Sequence, residues 1–387
     1  MKKRIAIAYN FNDRDWLGGK NYFASLFGAI AAIQPHEFEF VLVTGKKTET
    51  QLPDEFPWLE VVRTPLMDRL HPFWFLRQMS LRSSGTDPLL ERFLATHKID
   101  LLSHSGPLQI GSKIKSLPWL YDFQFMHLPQ LWKAKHIRWA EKRYTAACHH
   151  GDALILSSYD SAFDLIKFAP WCSLPRHVLQ FVSNPVDFSQ IIPKNALTIK
   201  YDLPETYFYL PNQFWTNKNH RLVIDALSIL TAQGQKVNVI CTGKPFDGRQ
   251  PEYFGELMRY RDQLGCTDEF RVLGVVPYQD LQSLMSHACA VINPSRFEGW
   301  STSVEEAKTL HRRLLLSDIA VHREQSPNNA DFFDVDDASE LARLLLVCTT
   351  ENRKAISEIE VCADYAHRLK DFGQNYLGIV RGTLQKS

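Results

Sequence analysis

No run of about 18 apolar residues occurs anywhere in the 387-residue chain, so a membrane-spanning helix is not expected. The opening, MKKRIAIAYNFNDRDW, has basic residues and a short apolar run, but charge returns at Asp13 and no small-residue cleavage pattern follows. It reads as a first strand rather than a secretion signal. Cysteine supplies no framework. The seven cysteines, 148, 172, 241, 266, 289, 348 and 362, are odd in number and scattered, with no C-x-x-C pair. This fits reduced thiols in a cytoplasmic protein better than a disulfide scaffold or a cysteine zinc site. Net charge is almost absent, at +1, so bulk electrostatics points to no nucleic-acid partner. The halves differ mildly: residues 1–186 carry 22 basic and 17 acidic side chains, the rest 22 and 26. A basic first half suits an anionic acceptor or a membrane surface, and ordinary scatter explains it equally well. Tandem repeats and low-complexity segments are also missing.

What is present is an ordinary globular composition, 45% hydrophobic and 22% charged, long enough for two domains. Short apolar runs recur between helix-length segments: RIAIAYN, FEFVLVTG, IDLLSHS, PWLYDF and DALILSS, then FYLPNQF, VNVICTG, FRVLGVV, CAVINPS and RRLLLSD. Most do not alternate, as expected for parallel strands covered by helices on both faces. Intervening stretches such as RLVIDALSILTAQG, with apolar residues at 222, 223, 226, 227 and 230 and Gly234 at the end, read as helices. The class is therefore α/β. The series restarts after a Pro-rich polar stretch, placing a boundary near Asn184–Asp187 between domains 1–185 and 186–365. In doubly wound sheets ligands lie beyond the carboxyl ends of the strands, so the loops there are where chemistry is sought.

The segment SRFEGWSTSVEEAK, residues 295–308, is the most informative such loop. CAVINPS reads as a strand and VEEAKTLHRR as a helix. On one helix Glu298 and Glu306 would be about 12 Å apart along the axis. With Glu298 in the loop and Glu306 in the first turns, both reach one ligand lying across the helix start. Gly299 lets the backbone come close. Free amides at the helix start, aided by Ser301, Thr302 and Ser303, favour an anion such as a diphosphate. Carboxylates beside such an anion make sense as acceptors for sugar or ribose hydroxyls. A plainer reading is a capping box, Thr302-x-x-Glu305 or Ser303-x-x-Glu306, which explains one glutamate but not Glu298.

INPSRFEGWSTSVEEAK resembles the E-x7-E signature of the family 4 retaining glycosyltransferases, which have the GT-B fold. Four further segments resemble that family in the same order: PWLYDFQFMHLP, NPVD, YLPNQFWTNKNH and LGVVPYQDLQSLMSHACAVINPS. DFGQNYLGIV resembles its last helix, about 366–387, which crosses back to the first domain. The resemblance implies two Rossmann-like doubly wound domains facing across a cleft, the first for acceptor and the second for donor.

By that resemblance Glu298 binds hydroxyls of the transferred sugar and Glu306 the nucleotide ribose. Trp300 and Ser301 to Ser303 offer amides to the diphosphate, and Val275, Val276 and Pro277 meet the base. Gly243 is placed with the donor. Lys218 would neutralise charge growing on the departing diphosphate, where one unit pair at 4 Å is worth about 4 kcal/mol at an effective dielectric of 20. The family's Gly-Arg is replaced by Asn212 and Gln213, so another cation is sought, with Lys244 and Arg296 as candidates. Gly18 and Gly19 form the loop under the donor phosphates, or a plain strand–helix turn. The family's His-Asp is Tyr121-Asp122, leaving Asp122 as the acidic catalytic position and His127 and His104 as nearby imidazoles with a structural alternative.

Asp334-x-Asp336 resembles a metal motif of another glycosyltransferase fold, but Asp337-x-x-Glu340 ahead of an apolar run reads better as a helix cap. No metal or other cofactor is expected. LMDRLHPFWFLRQMSLR, residues 66–82, mixes aromatic and basic residues; it suits a membrane surface and a lipid-linked acceptor, or a packed helix and loop interrupted at Pro72. The expectation is a retaining, metal-independent transferase using a nucleotide sugar and a glycan or lipid-linked acceptor, cytoplasmic with peripheral membrane contact. The alternatives are an inactive sugar-nucleotide binding subunit or sensor and, further off, an epimerase on the same fold.

Overall fold

Unbroken runs of Ile, Val, Leu and Ala need cover on both faces, and the computed structural model supplies it. It describes residues 2–13, 17–109, 111–325, 327–350 and 358–385. Two compact units are formed, one from 1–123, 134–184 and 366–387, the other from 124–133 and 185–365. The sequence reading placed 124–133 in the first domain; its contacts put it with the second.

In the first unit β1 (Lys3–Tyr9), β2 (Phe38–Thr44), β3 (Glu60–Arg63), β4 (Leu101–Ser103) and β5 (Lys115–Leu117) make a parallel sheet in the order β3-β2-β1-β4-β5. Ile5 pairs with Leu101 and Ile7 with Ser103, all fully buried. β6 (Trp119–Leu120), β7 (Leu154–Leu156) and β8 (Arg176–Val178) form a second parallel sheet. Chain order reverses between β1 and β4, which opens a crevice beyond their carboxyl ends.

The second unit repeats the plan. Strands β9 (Phe208–Leu210), β10 (Val239–Thr242), β11 (Phe270–Gly274), β12 (Val291–Asn293), β13 (Leu314–Ser317) and β14 (Ala330–Phe333) are ordered β11-β10-β9-β12-β13-β14, all parallel. Successive side chains serve opposite cores. Phe208 and Leu210 join Leu222, Val223 and Leu227 of the helix His220–Ala232. Tyr209 joins Leu284 and Met285 of the helix Tyr278–His287 and Val304 and Ala307 of the helix Thr302–Thr309. Here the reversal falls between β9 and β12.

Pro72, read from sequence as an interruption, is the first residue of the helix Pro72–Ser84, where its missing N–H costs nothing. Asp337 caps the helix Ala338–Thr350, accepting from the amides of Ser339 and Glu340 at 2.9 and 3.0 Å. Among the described residues no helix is long and apolar enough to cross a membrane.

The long helix Glu358–Gln385 joins the first unit from Ala366 onward. Residues 386–387 of the expected helix lie outside the described residues. Phe372, Tyr376, Leu377 and Val380 are buried. Gly373 lets this helix approach Leu17–Ile33 closely: a Cβ there would lie 2.6 Å from Ile33 Cδ1 and 2.9 Å from the Ala29 carbonyl oxygen. At Gly378 a Cβ meets nothing within 4 Å. Gly373→Val is therefore expected to destabilise the protein by about 1–3 kcal/mol through overpacking. Gly378→Ala is expected to stabilise it by up to about 1 kcal/mol through helix propensity. Urea unfolding midpoints of the two variants check the pair, and equal shifts would refute this packing.

Candidate functional site

The reversal between β9 and β12 leaves two loops side by side, 211–219 after β9 and 294–301 after β12. Asn293 ends β12 and turns inward to tie them. Its Nδ2 donates to Ser301 Oγ at 2.8 Å and Ser303 Oγ at 3.2 Å, and its Oδ1 accepts from Asn212 Nδ2 at 3.2 Å and Ser295 Oγ at 2.7 Å. All five residues are buried. The side chains of Asn212, Ser301 and Ser303, expected to face a donor, are thus spent on holding the loops.

That scaffold brings Lys218 to Glu298. Thr216–Lys218 is a single 3-10 turn, and Asn219 follows with φ of 54°. The Lys218 Nζ lies 2.5 Å from Glu298 Oε1, with side chains 13% and 9% exposed. Ser295 Oγ donates to the same oxygen at 2.6 Å. Burial pushes the Glu298 carboxyl up, but the Lys218 ammonium and the Ser295 hydroxyl outweigh it and hold the group below the usual carboxylate range. Behind them sits fully buried His322, whose Nδ1 donates to the Ser317 carbonyl at 2.9 Å. Burial holds that imidazole down at about 4, so it is neutral.

The helix Thr302–Thr309 starts at the same place. Ser301 is its N-cap without a side-chain cap bond, so neither capping box forms. The Ser301 amide is occupied by Gln325 Oε1 at 3.2 Å. The amides of Thr302, Ser303 and Val304 have no acceptor among the described residues. These three, rather than Ser301, are the donors open to an anion. Gly299 and Trp300 form the bend just before them.

The glutamates of the helix have opposite fates. Glu305 accepts from Gln325 Nε2 at 2.9 Å and pairs with Lys308 at 3.1 Å, a structural lock. Glu306 is 7% exposed and has no cation paired with it among the described residues. Burial drives its carboxyl up to about 7, the neighbouring Tyr278 hydroxyl offsetting only part. A desolvated, unpaired carboxyl of this kind is suited to accept from ligand hydroxyls.

Gln213 does not stand open as an arginine would. Its Oε1 accepts from the Lys244 amide at 2.8 Å, pinning the turn after β10. Gly243 is obligatory in that turn: its φ is 147°, and a Cβ would lie 2.4 Å from the Asn212 carbonyl oxygen. Val276 is half-buried while Val275 and Pro277 are exposed between β11 and the helix Tyr278–His287.

The two candidates for the missing cation differ, since Arg296 is paired and exposed Lys244 has no carboxylate partner among the described residues. The Arg296 guanidinium pairs with exposed Asp336 at 2.6 Å, and the Lys244 ammonium lies 5.8 Å from the Phe246 ring centroid. The cation that sequence reasoning missed is Arg249. It bonds Asp247 at 3.1 Å, Gln124 Oε1 at 2.5 Å and Asn217 Oδ1 at 3.2 Å, between the Trp132 and Trp215 rings. Its charge is matched by buried Asp247, so it braces the turn carrying Lys218. The sequence signal was Asp247-Gly248-Arg249, a turn in the loop between β10 and the helix Tyr253–Gln263.

Asp122, Gly18 and Gly19 belong to the first unit. Gly18 and Gly19 lie inside the first turn of the helix Leu17–Ile33 rather than in a loop before it. Asp122 follows β6, and its carbonyl accepts from Tyr144 at 2.8 Å. His104 is held at both nitrogens, Nε2 by Tyr22 at 2.6 Å and Nδ1 by Ser103 at 2.8 Å, and burial lowers it to about 3. It is structural. His127 lies in the second unit against the Phe297 ring.

Residues 199–359 match the family model described as glycosyl transferases group 1. No curated protein matches the chain. Among solved structures the chain is similar to a glycosyltransferase from Rickettsia africae, at 13% identity over 100% of both chains with a TM-score of 0.67. It is similar to Anabaena Alr3699/HepE in complex with UDP and glucose, at 16% identity over 98% of this chain and 100% of that one, TM-score 0.66. It is also similar to WaaG, a glycosyltransferase involved in lipopolysaccharide biosynthesis, at 13% identity over 96% and 95%, TM-score 0.59. The fold is the two-domain α/β GT-B fold.

Glu306 makes a pH prediction. Its folded pKa of about 7 exceeds the ordinary 4.5, so the folded state holds the proton more tightly. Its contribution is fully present below pH 4.5 and is lost as pH rises through 7, up to about 3 kcal/mol by linkage. Glu306→Gln is expected to raise Tm relative to wild type at pH 8 and to lose that advantage at pH 5. A difference independent of pH would refute the assignment.

Proposed function

We propose that the protein is a glycosyltransferase that moves a sugar from a nucleotide-diphosphate sugar to a hydroxyl of a glycan or lipid-linked acceptor, with retention and without a metal ion. The observation that carries this reading is one constellation at a sheet reversal: the Lys218–Glu298 pair, unpaired Glu306 and three open helix amides. It lies in the segment that matches the glycosyl transferases group 1 model. The HepE structure contains UDP and glucose, which makes a uridine sugar the first donor to assay.

In this reading the ion pair is the resting form of the site. Lys218 and Glu298 neutralise each other until the donor separates their tasks. The diphosphate takes Lys218 and the amides of Thr302 to Val304. The sugar hydroxyls take Glu298, and the ribose hydroxyls take Glu306. Hydrogen bonds to an ionised carboxylate contribute about 1.5–3 kcal/mol each. As the glycosidic bond breaks, negative charge grows on the phosphate beside Lys218, which stabilises it more than the ground state. Gln213 supplies no charge and Arg249 is committed to Asp247, so Lys218 carries most of that burden. We assign no side chain as a dedicated base, and in this reading the acceptor proton passes to a donor phosphate oxygen. The first unit holds the acceptor, with Asp122, Gly18 and Gly19 on its side. A cytoplasmic location with peripheral membrane contact belongs to the same reading.

Lys218→Ala and Glu298→Gln are each expected to lower kcat/KM for transfer at least tenfold, about 1.4 kcal/mol or more. Each also breaks a nearly buried pair, so a lower Tm accompanies the loss. Transfer at wild-type rates in both would refute the placement. Tight UDP-sugar binding without transfer or hydrolysis would favour the binding-subunit reading instead.

A UDP-sugar has no phosphate titrating near neutrality, so it isolates Glu306. Its binding is expected to tighten as pH rises through 7 and to release a proton, seen as buffer-dependent calorimetric heat. Both effects should vanish in Glu306→Gln; their persistence would place the ribose elsewhere.

A further inference from the structure

The first unit has its own crevice at the reversal between β1 and β4, and a cavity of about 330 Å³ fills it. Asn10 and Phe11 line it after β1, His104 to Pro107 after β4, and Tyr121 after β6. Such a volume suits a ligand of roughly monosaccharide size. Most of its remaining wall comes from two helices, Pro72–Ser84 and Ala134–His150.

The charge of that wall is one-sided. Arg77, Arg82, Lys142 and Arg143 line the cavity against one acid, Asp87. Asp87 is already paired with Arg77 at 2.5 Å, with both side chains buried. His104 adds no charge, since both its nitrogens are held and burial keeps it neutral. Arg82, Lys142 and Arg143 therefore remain, and none has a carboxylate partner among the described residues. Their meeting is built. Lys142 Nζ donates to the Arg82 carbonyl, which ties the two helices together. Gly85, with φ of 73° at the end of its helix, permits the approach: a Cβ there would lie 2.8 Å from Ala146 Cβ. Arg143 is held over aromatic faces, 5.7 Å from the Tyr121 centroid and 5.6 Å from that of Trp139. Arg82 and Lys142 are exposed and Arg143 is half-buried, so water screens their mutual repulsion in part, and a bound anion would lower it further. The indoles of Trp74 and Trp139 on the same cavity offer apolar faces of the kind on which sugar rings stack, whereas Trp119 is buried and stacked on Tyr22 at 4.2 Å.

We propose that this cavity selects an acceptor whose sugar carries a phosphate group, held by Arg82, Lys142 and Arg143. The proposal rests on the reading that the first unit receives the acceptor. The phosphate belongs either to a free sugar phosphate or to a lipid-linked one. Phe75, Leu76 and Met79 are exposed on the helix that supplies Arg82, so both sources are tested.

The full chain, with its donor site saturated by UDP, is titrated with glucose 6-phosphate and with glucose in a calorimeter. It is also sedimented with phosphatidylcholine vesicles with and without a polyprenyl phosphate sugar. We expect one phosphorylated probe to bind at least tenfold tighter than its unphosphorylated counterpart. Lys142→Gln with Arg143→Gln, and separately Arg82→Gln, should remove that preference while UDP affinity is unchanged. Preference in the titration assigns a free sugar phosphate; preference confined to vesicles assigns the lipid-linked form. Equal binding of charged and neutral probes, or a preference that survives both variants, overturns the proposal. If UDP fails to bind the wild-type chain, the donor reading fails, while the phosphate preference is still read in its absence.

Discussion

A parallel strand covered on both faces has nowhere to place a polar side chain except at its end. This constraint organises both units. Val291 and Ile292 are completely buried, and Asn293 is the first residue of that strand with polar work to do. Ser317 ends β13 in the same way, and its hydroxyl donates to the Ser295 carbonyl at 2.6 Å. The loops beyond are fastened by buried amides and hydroxyls rather than by apolar packing. A network of that kind is rigid when every member is satisfied. It is what allows two oppositely charged side chains to be held in a fixed place with little water.

The carboxylates at the site have been given different electrostatic states by their surroundings. Glu298 is ionised because a lysine and a serine face it. Glu306, eight residues on, shares its burial but not its partners, and its proton affinity rises to about 7. Glu305 lies between them in sequence, yet it points into Gln325 and Lys308. Three glutamates in nine residues thus perform three tasks, and helical geometry decides which: positions 305 and 306 leave the axis about 100° apart.

Much of the fold was legible because burial leaves a mark on composition. Ten strands were read as apolar runs, and all ten are present. The four that were missed, β3, β5, β8 and β14, each lie at the edge of a sheet. An edge strand is covered less completely, so its sequence need not be continuous in Val, Ile and Leu: EVVR and ADFF are examples. That Lys218 and Glu298 serve one donor was implied by the family resemblance, but their direct pairing was not read from the sequence. What could not be read was the direction of side chains within those loops. Ser301 and Ser303 look like ligand hydroxyls in sequence and prove to be internal fastenings. Asp247-Gly248-Arg249 marked a turn but not its use, since Gln124 and Trp132 are brought to Arg249 only by the path of residues 124–133. Asn212 and Gln213 were noticed as departures, but only the structure reveals them as struts.

The route of the backbone has a consequence for how the protein is made. The first unit is not finished when residue 184 leaves the ribosome. It still lacks Phe372, Tyr376 and Val380, which are buried in it, and Tyr22 packs 6.3 Å from Phe372. Those side chains arrive after the whole of the other unit has been synthesised. During translation residues 1–123 and 134–184 must therefore wait, with an aromatic core open to solvent, for the helix that carries Phe372, Tyr376 and Val380. Vectorial completion of this molecule runs from its middle outward, and a nascent chain stalled before Ala366 would present that uncovered core to chaperones.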